Sequence, residues 1–232
     1  MGPHLQREID KLKRKILILS AKVEENLRLA FEVVTTGDAA VAAQVVEGDI
    51  EIDLAEVEIE EECLKLLALH QPVAGDLRFI VAVIKINSTL ERVGDLAVNV
   101  AEHAARMAAA PAPALGFDLP GLIDKSCAMF SRSLDALMKS EPSLARLVMA
   151  ADDEVDDLDR DLNQRLRNAF VEHPEAIEGL VALIYISRYI ERLADHATNI
   201  AEDVIYMTEG EIPRHLLKRE AAEAMGIGET EL

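Results

Sequence analysis

Eight acidic side chains carry the clearest chemical signal in this 232-residue chain, because they come in two matching copies. Leu90-Glu91-Arg92-Val93-Gly94-Asp95 runs on to Asn99 and Glu102, and a hundred positions later Ile190-Glu191-Arg192-Leu193-Ala194-Asp195 runs on to Asn199 and Glu202. On a helix turning about 100° per residue, Glu91, Asp95, Asn99 and Glu102 form one polar row. Leu90, Val93, Ala97, Val100 and Ala104 lie on the far side. The second copy repeats both faces, with Glu191, Asp195, Asn199 and Glu202 set against Ile190, Leu193, Ala197, Ile200 and Val204. Each copy is preceded by another acid row. Asp49, Asp53, Glu56 and Glu60 make the first, and Asp152, Asp156, Asp159 and Asn163, 103 positions further on, make the second.

An acid row on a helix most often does no more than keep one face wet. The Asp49 row reads differently. Its helix already has a plausible outer face in Glu51, Glu58 and Glu62, while Val46, Ile50 and Val57 flank the row on one side and Ile52, Ile59 and Cys63 on the other. Like charges grouped between apolar flanks repel one another, so they titrate upward or recruit cations. In the second half the apolar flanking is one-sided. If consecutive helices pack as hairpins, Asp49, Asp53, Glu91 and Asp95 become candidate metal ligands of one site, and Asp152, Asp156, Glu191 and Asp195 of another. Oxygen-only ligand sets suit magnesium, calcium or manganese, and oxygen-bridged iron as well. A cation or a basic partner surface can each compensate such a row.

Six helical stretches position these residues. Ile9, Leu12, Ile16, Leu19, Val23, Leu27, Ala30 and Val34 recur at steps of three and four, which predicts one helix from Arg7 to about Thr36. Gly37 and Asp38 end it and cap the next, which runs from Ala39 to about Leu69. Pro72 suits the first turn of a third helix that continues to about Ala109. The proline-rich spacer from Ala110 to Gly116 divides the chain nearly in half. After it the plan recurs: Leu119 to Lys139, a turn at Ser140-Glu141-Pro142, Ser143 to about Val171, a turn at His173-Pro174, and Glu175 to about Met207. The expected architecture is all-α, with two tandem, duplicated three-helix bundles at residues 1–110 and 119–210, a linker at 111–118 and a C-terminal tail at 211–232.

Composition agrees with packed helices: 50% of residues are hydrophobic, 3% are aromatic and there is no Trp. Forty-three acids against twenty-four bases give a formal charge of −19, which repels phosphate backbones and excludes nucleic acid as a natural partner. Cys63 and Cys127 sit inside apolar patterns, lack CxxC spacing and read as free thiols. The apolar run from Phe79 to Ile84 stops at Lys85, far short of a membrane span. The reading is a cytoplasmic protein that meets a membrane only through partners, with a lean to a homodimer.

The helical-bundle alternative is a ferritin-like di-metal enzyme or metal store, which needs Glu-x-x-His pairs. None of His4, His70, His103, His173, His196 or His215 follows a Glu three residues earlier. No phosphate-cradling glycine loop and no nucleophile with a base is present, so hydrolase chemistry has no support in the sequence. Arg78 reads as a cap, an acid's partner or a contact for a partner or anion. Arg92 and Arg192 read as counter-charges beside the acid rows.

Gln71-Pro72-Val73-Ala74-Gly75-Asp76-Leu77-Arg78, the doubled Glu91-Arg92-Val93-Gly94-Asp95 and Glu191-Arg192-Leu193-Ala194-Asp195, the opening His4, Glu8 and Leu12 and the closing Ile212-Pro213-Arg214-His215 together resemble the PhoU family of bacterial phosphate-transport regulators. The resemblance covers roughly residues 1–215. The second half departs from it at His173-Pro174-Glu175, which lacks the Asp-Leu-Arg that follows Pro72. Membership implies a non-enzymatic negative regulator linking a phosphate ABC transporter, through its ATPase or membrane part, to a two-component sensor histidine kinase. It also implies metal ions, multinuclear on the Glu/Asp-x-x-x-Asp motifs, with iron, zinc, manganese or magnesium as the cofactor expected on the eight acids named above.

Overall fold

The computed structural model describes residues 3–110 and 113–213. Among these residues there are six α-helices and no strand: α1 (Pro3–Thr36), α2 (Ala39–His70), α3 (Ala74–Ala109), α4 (Leu119–Lys139), α5 (Pro142–Glu172) and α6 (Ile177–Glu209). The chain is all-α, as its periodicity predicts. Pro111 and Ala112 of the expected linker, and the expected tail from Arg214 onward, lie outside the described residues. No described helix is long and apolar enough to cross a membrane.

Local chemistry explains most helix ends. Gly37 takes a left-handed φ of 67°, and the Asp38 carboxylate then accepts from the Ala40 N–H at 2.7 Å, so one residue stops α1 and the next starts α2. Gly210, φ 80°, ends α6. α1 begins at Pro3, a turn before the expected Arg7, because Leu5 and Ile9 continue its buried stripe. The prolines exchange roles relative to expectation. Pro72 stands before α3 rather than in its first turn: it disfavours a right-handed helical residue ahead of it, Gln71 goes left-handed at φ 45°, and extended Val73 becomes the N-cap. Pro142, expected in a turn, opens α5 after Ser140 makes the reversal at φ 51°. Pro174 opens a 3₁₀ turn, Pro174–Ala176, which delays α6 to Ile177.

α1, α2 and α3 pack on one another, as do α4, α5 and α6, and the most extensive pairing of all is α3 with α6. These two helices are buried over much more of their circumference than the other four. Leu90, Val93, Ala97 and Val100 in α3, and Ile190, Leu193, Ala197 and Ile200 in α6, are completely shielded from solvent. Each large aliphatic side chain so buried is worth about 1.5–3 kcal/mol. The α3–α6 seam has a fixed antiparallel register. The Arg78 side chain lies beside Gly210, Lys85 pairs with Asp203 at 3.0 Å, and His103 packs on Tyr185 with ring centroids 4.6 Å apart. Every one of these pairs is placed symmetrically about Gly94 and Ala194, equivalent positions of the two repeats. The seam is therefore a local two-fold, in which the Lys85–Asp203 ion pair and the Tyr185–His103 aromatic pair are the same contact rewritten in different residues.

Candidate metal centre: two carboxylate ladders

α2 and α3 each present their acid row to the other, as do α5 and α6. In the first half Asp49 is half-buried and its carboxyl is pushed up to about 6, first by burial and then by the charges of Asp53, Asp95 and Glu91. Glu91 is raised by burial and by Asp95, Asp53 and Glu56, with Arg92 opposing. Glu56 is raised by burial, Glu60 and Asp53. In the second half Asp152 is raised by burial and by Asp156 and Asp195. Burial and Asp195, Asp159 and Asp156 raise Glu191, against Arg188. Burial and Asp156 raise Asp195, against Arg192. The structure thus brings together Asp49, Asp53, Glu91 and Asp95, and separately Asp152, Asp156, Glu191 and Asp195, and adds Glu56 to the first group and Asp159 to the second.

Side chains one turn earlier on α3 and α6 hold the added acids. Asn87 donates to the Glu56 carbonyl at 2.9 Å and to its carboxylate at 3.1 Å, and Ser187, its counterpart a hundred positions on, donates to the Asp159 carboxylate. Asn87 and Ser187 are not singled out by the sequence reading, although each sits four residues before a motif glutamate, on the same row. Asn163 also donates to the Asp159 carboxylate, at 2.7 Å. Gly94 supplies room: a β-carbon there would stand 2.6 Å from Asp49 Oδ1 and 3.2 Å from Ile52.

The two flanks of the Asp49 row differ. Ile52, Ile59 and Cys63 are buried in the bundle, whereas Val46, Ile50 and Val57 face solvent. Glu51 and Glu58 face solvent, as expected of an outer face, while Glu62 is half-buried; all three also reach α1, where Lys22 pairs with Glu51 and Lys15 with Glu58 and Glu62. Arg92 and Arg192 do stand near their acid rows, but both also bear on His196. That imidazole is held neutral, its value pulled down to about 4 by burial first and the two guanidiniums second, and its Nε2 has no hydrogen-bond partner. Arg78 pairs with no acid among the described residues: it lies against Gly210, where its charge meets the negative end of the α6 dipole. The thiols of Cys63 and Cys127 are both pushed up to about 12 by burial, which makes them inert.

Among the described residues no three His, Cys, Asp or Glu side chains already converge tightly enough to coordinate an ion. The donor set nevertheless fits a hard cation: it is all oxygen, it is crowded with like charge, and Asp49 Oδ1 is a buried acceptor with no donor.

Fold and site define an internally duplicated helical-bundle protein with one facing pair of carboxylate rows in each repeat. The chain belongs to the PhoU family: the PhoU domain model matches residues 16–104 and again 119–204. It is 37% identical over 94% of its length, and 99% of the relative's, to "Phosphate-specific transport system accessory protein PhoU homolog" of Aquifex aeolicus. Among solved structures it is similar to PhoU from Pseudomonas aeruginosa, with a TM-score of 0.86 and 32% identity over 89% of this chain and 99% of that one. It is also similar to the phosphate transport system regulatory protein PhoU from Streptococcus pneumoniae, with a TM-score of 0.79 and 25% identity over 90% and 98% of the two chains.

Proposed function

We propose that this chain is a cytoplasmic, non-enzymatic accessory protein that restrains phosphate uptake and phosphate-starvation signalling, acting as an adaptor between a phosphate ABC transporter and a sensor histidine kinase. The match of both repeats, along nearly the whole length, to accessory proteins of phosphate-specific transport carries this reading. Asp49, Asp53, Glu91 and Asp95, with Glu56 beside them, would hold metal in the first ladder. Asp152, Asp156, Glu191 and Asp195, with Asp159, would hold it in the second. Iron, zinc, manganese or magnesium bound there would supply positive charge to rows that otherwise repel themselves. The chain's own residues do the rest: Asn87 and Ser187 orient carboxylates, and α3 and α6 carry each ladder on one edge and the shared seam on another. Self-association as a homodimer is compatible with this role.

The test is deletion of the coding sequence in a strain with a starvation-promoter reporter. Constitutive expression in high phosphate, restored to repression by the wild-type gene, is the expected result. Repression that survives the deletion refutes the adaptor role.

A further inference from the structure

The duplication provides an internal control for the surface of α2. α2 and α5 expose equivalent positions, 103 residues apart, yet fill them differently. On α2 they hold Val46, Ile50, Leu54, Val57 and Leu64, which are 46%, 59%, 68%, 53% and 55% exposed. On α5 the same positions hold Met149, Asp153, Asp157, Arg160 and Arg167. Met149 is half-buried against the core, but the other four are charged and exposed, which shows that the fold has no need of aliphatic side chains at the positions of Ile50, Leu54, Val57 and Leu64. Such a row in water, interrupted only at Glu61, is costly and marks an interaction surface. Acids frame the row on both sides: Glu60 and the ladder's Asp53 along one edge, Glu47 and the Lys15-paired Glu58 along the other, with Glu61, paired to Lys65, within it.

We propose that the α2 stripe is a docking surface for an amphipathic helix of a partner protein, apolar along one face and flanked by lysine or arginine. The inference rests on the adaptor reading and names the surface that reading uses. Val46 to Leu64 spans about 27 Å of helix, the length of an apolar helix face of about five turns. The charge frame selects among occupants. A second copy of this chain laid two-fold on the stripe would set one acid frame against another, and an anionic lipid surface would be repelled in the same way. Basic flanks on an apolar face answer both the aliphatic row and its borders.

Fluorescence anisotropy tests this with a labelled synthetic peptide of about 18 residues, an amphipathic helix with Leu and Ala on one face and Lys and Arg on its borders. The control has the same composition in scrambled order. The full-length protein should bind the peptide at least tenfold more tightly than the control. Ile50→Asp with Val57→Arg, which installs residues α5 already carries at those positions, should weaken binding at least tenfold while circular dichroism and melting temperature hold. The reciprocal pair, Asp153→Ile with Arg160→Val, should create a second peptide site. Equal affinity for the scrambled peptide, equal binding by the Ile50→Asp/Val57→Arg protein, or a sedimenting dimer that this double variant dissociates each overturns the proposal. In the reporter strain the failures separate. Full repression by the double variant in a deletion background that is otherwise constitutive rejects the stripe alone, whereas a deletion that stays repressed rejects the adaptor role itself.

Discussion

Gly94 of α3 lies directly against Asp49 of α2: any β-carbon at Gly94 would sit 2.6 Å from the Asp49 carboxylate oxygen. The equivalent position in the second repeat is a buried alanine, Ala194, so the two ladders are not identical in how closely α2 and α5 carry their first acid to the neighbouring helix.

Gly94→Ala should therefore displace Asp49 and disturb the first ladder alone. In isothermal titration with manganese, the variant should lose one of two binding phases or weaken it by about tenfold, a cost of about 1.4 kcal/mol. Unchanged binding at both ladders would show that Asp49 is not a ligand. Ala194→Gly, which adds room where none is needed, should leave both phases intact and lower stability by roughly 0.5–1 kcal/mol.

The elevated carboxyls set the sign of the pH response. Asp49 has a folded value near 6, above its unfolded value of 3.8, so the folded state holds the extra proton. Its stabilising effect is complete below the unfolded value and is lost as pH rises through about 6. In chelator, the melting temperature should rise as pH falls from 7.5 to 5, and Asp49→Asn should show a shallower rise. A slope identical in the variant would contradict the crowding at this ladder. Saturating divalent cation should flatten the slope in the wild type, because a bound cation stabilises the ionised carboxylates directly.

Leu90 and Ile190, equivalent and fully buried, test whether the halves share one core. Leu90→Ala and Ile190→Ala should each cost about 2–5 kcal/mol. Calorimetry should show a single transition moving down in both variants. Two resolved transitions, with only one responding to each substitution, would show instead that the bundles unfold independently.

Much of this arrangement is readable in one dimension. Steps of three and four put Leu90, Val93 and Ala97 on one side of a helix and Glu91 and Asp95 on another, and the repeated spelling says the pattern is used twice. Hairpin connectivity then brings the Asp49 row to the Glu91 row. Asn87 and Ser187 escape notice because neither carries charge, although their place on the row is plain once the partner carboxylates are known. The seam between α3 and α6 escapes for a deeper reason: Lys85 meets Asp203, and His103 meets Tyr185, across a separation that no local periodicity encodes. Pro72 and Pro142 show the same limit at short range, since each proline is compatible with a turn or a first helical turn and the surrounding packing decides.

That seam leaves the two repeats without a hinge. α3 and α6 are at once the inner wall of one ladder apiece and the common spine of the molecule. Because Gly94 stands level with Ala194, both ladders flank the middle of that spine, so a displacement of either helix would have to be taken up at the wall of the other ladder.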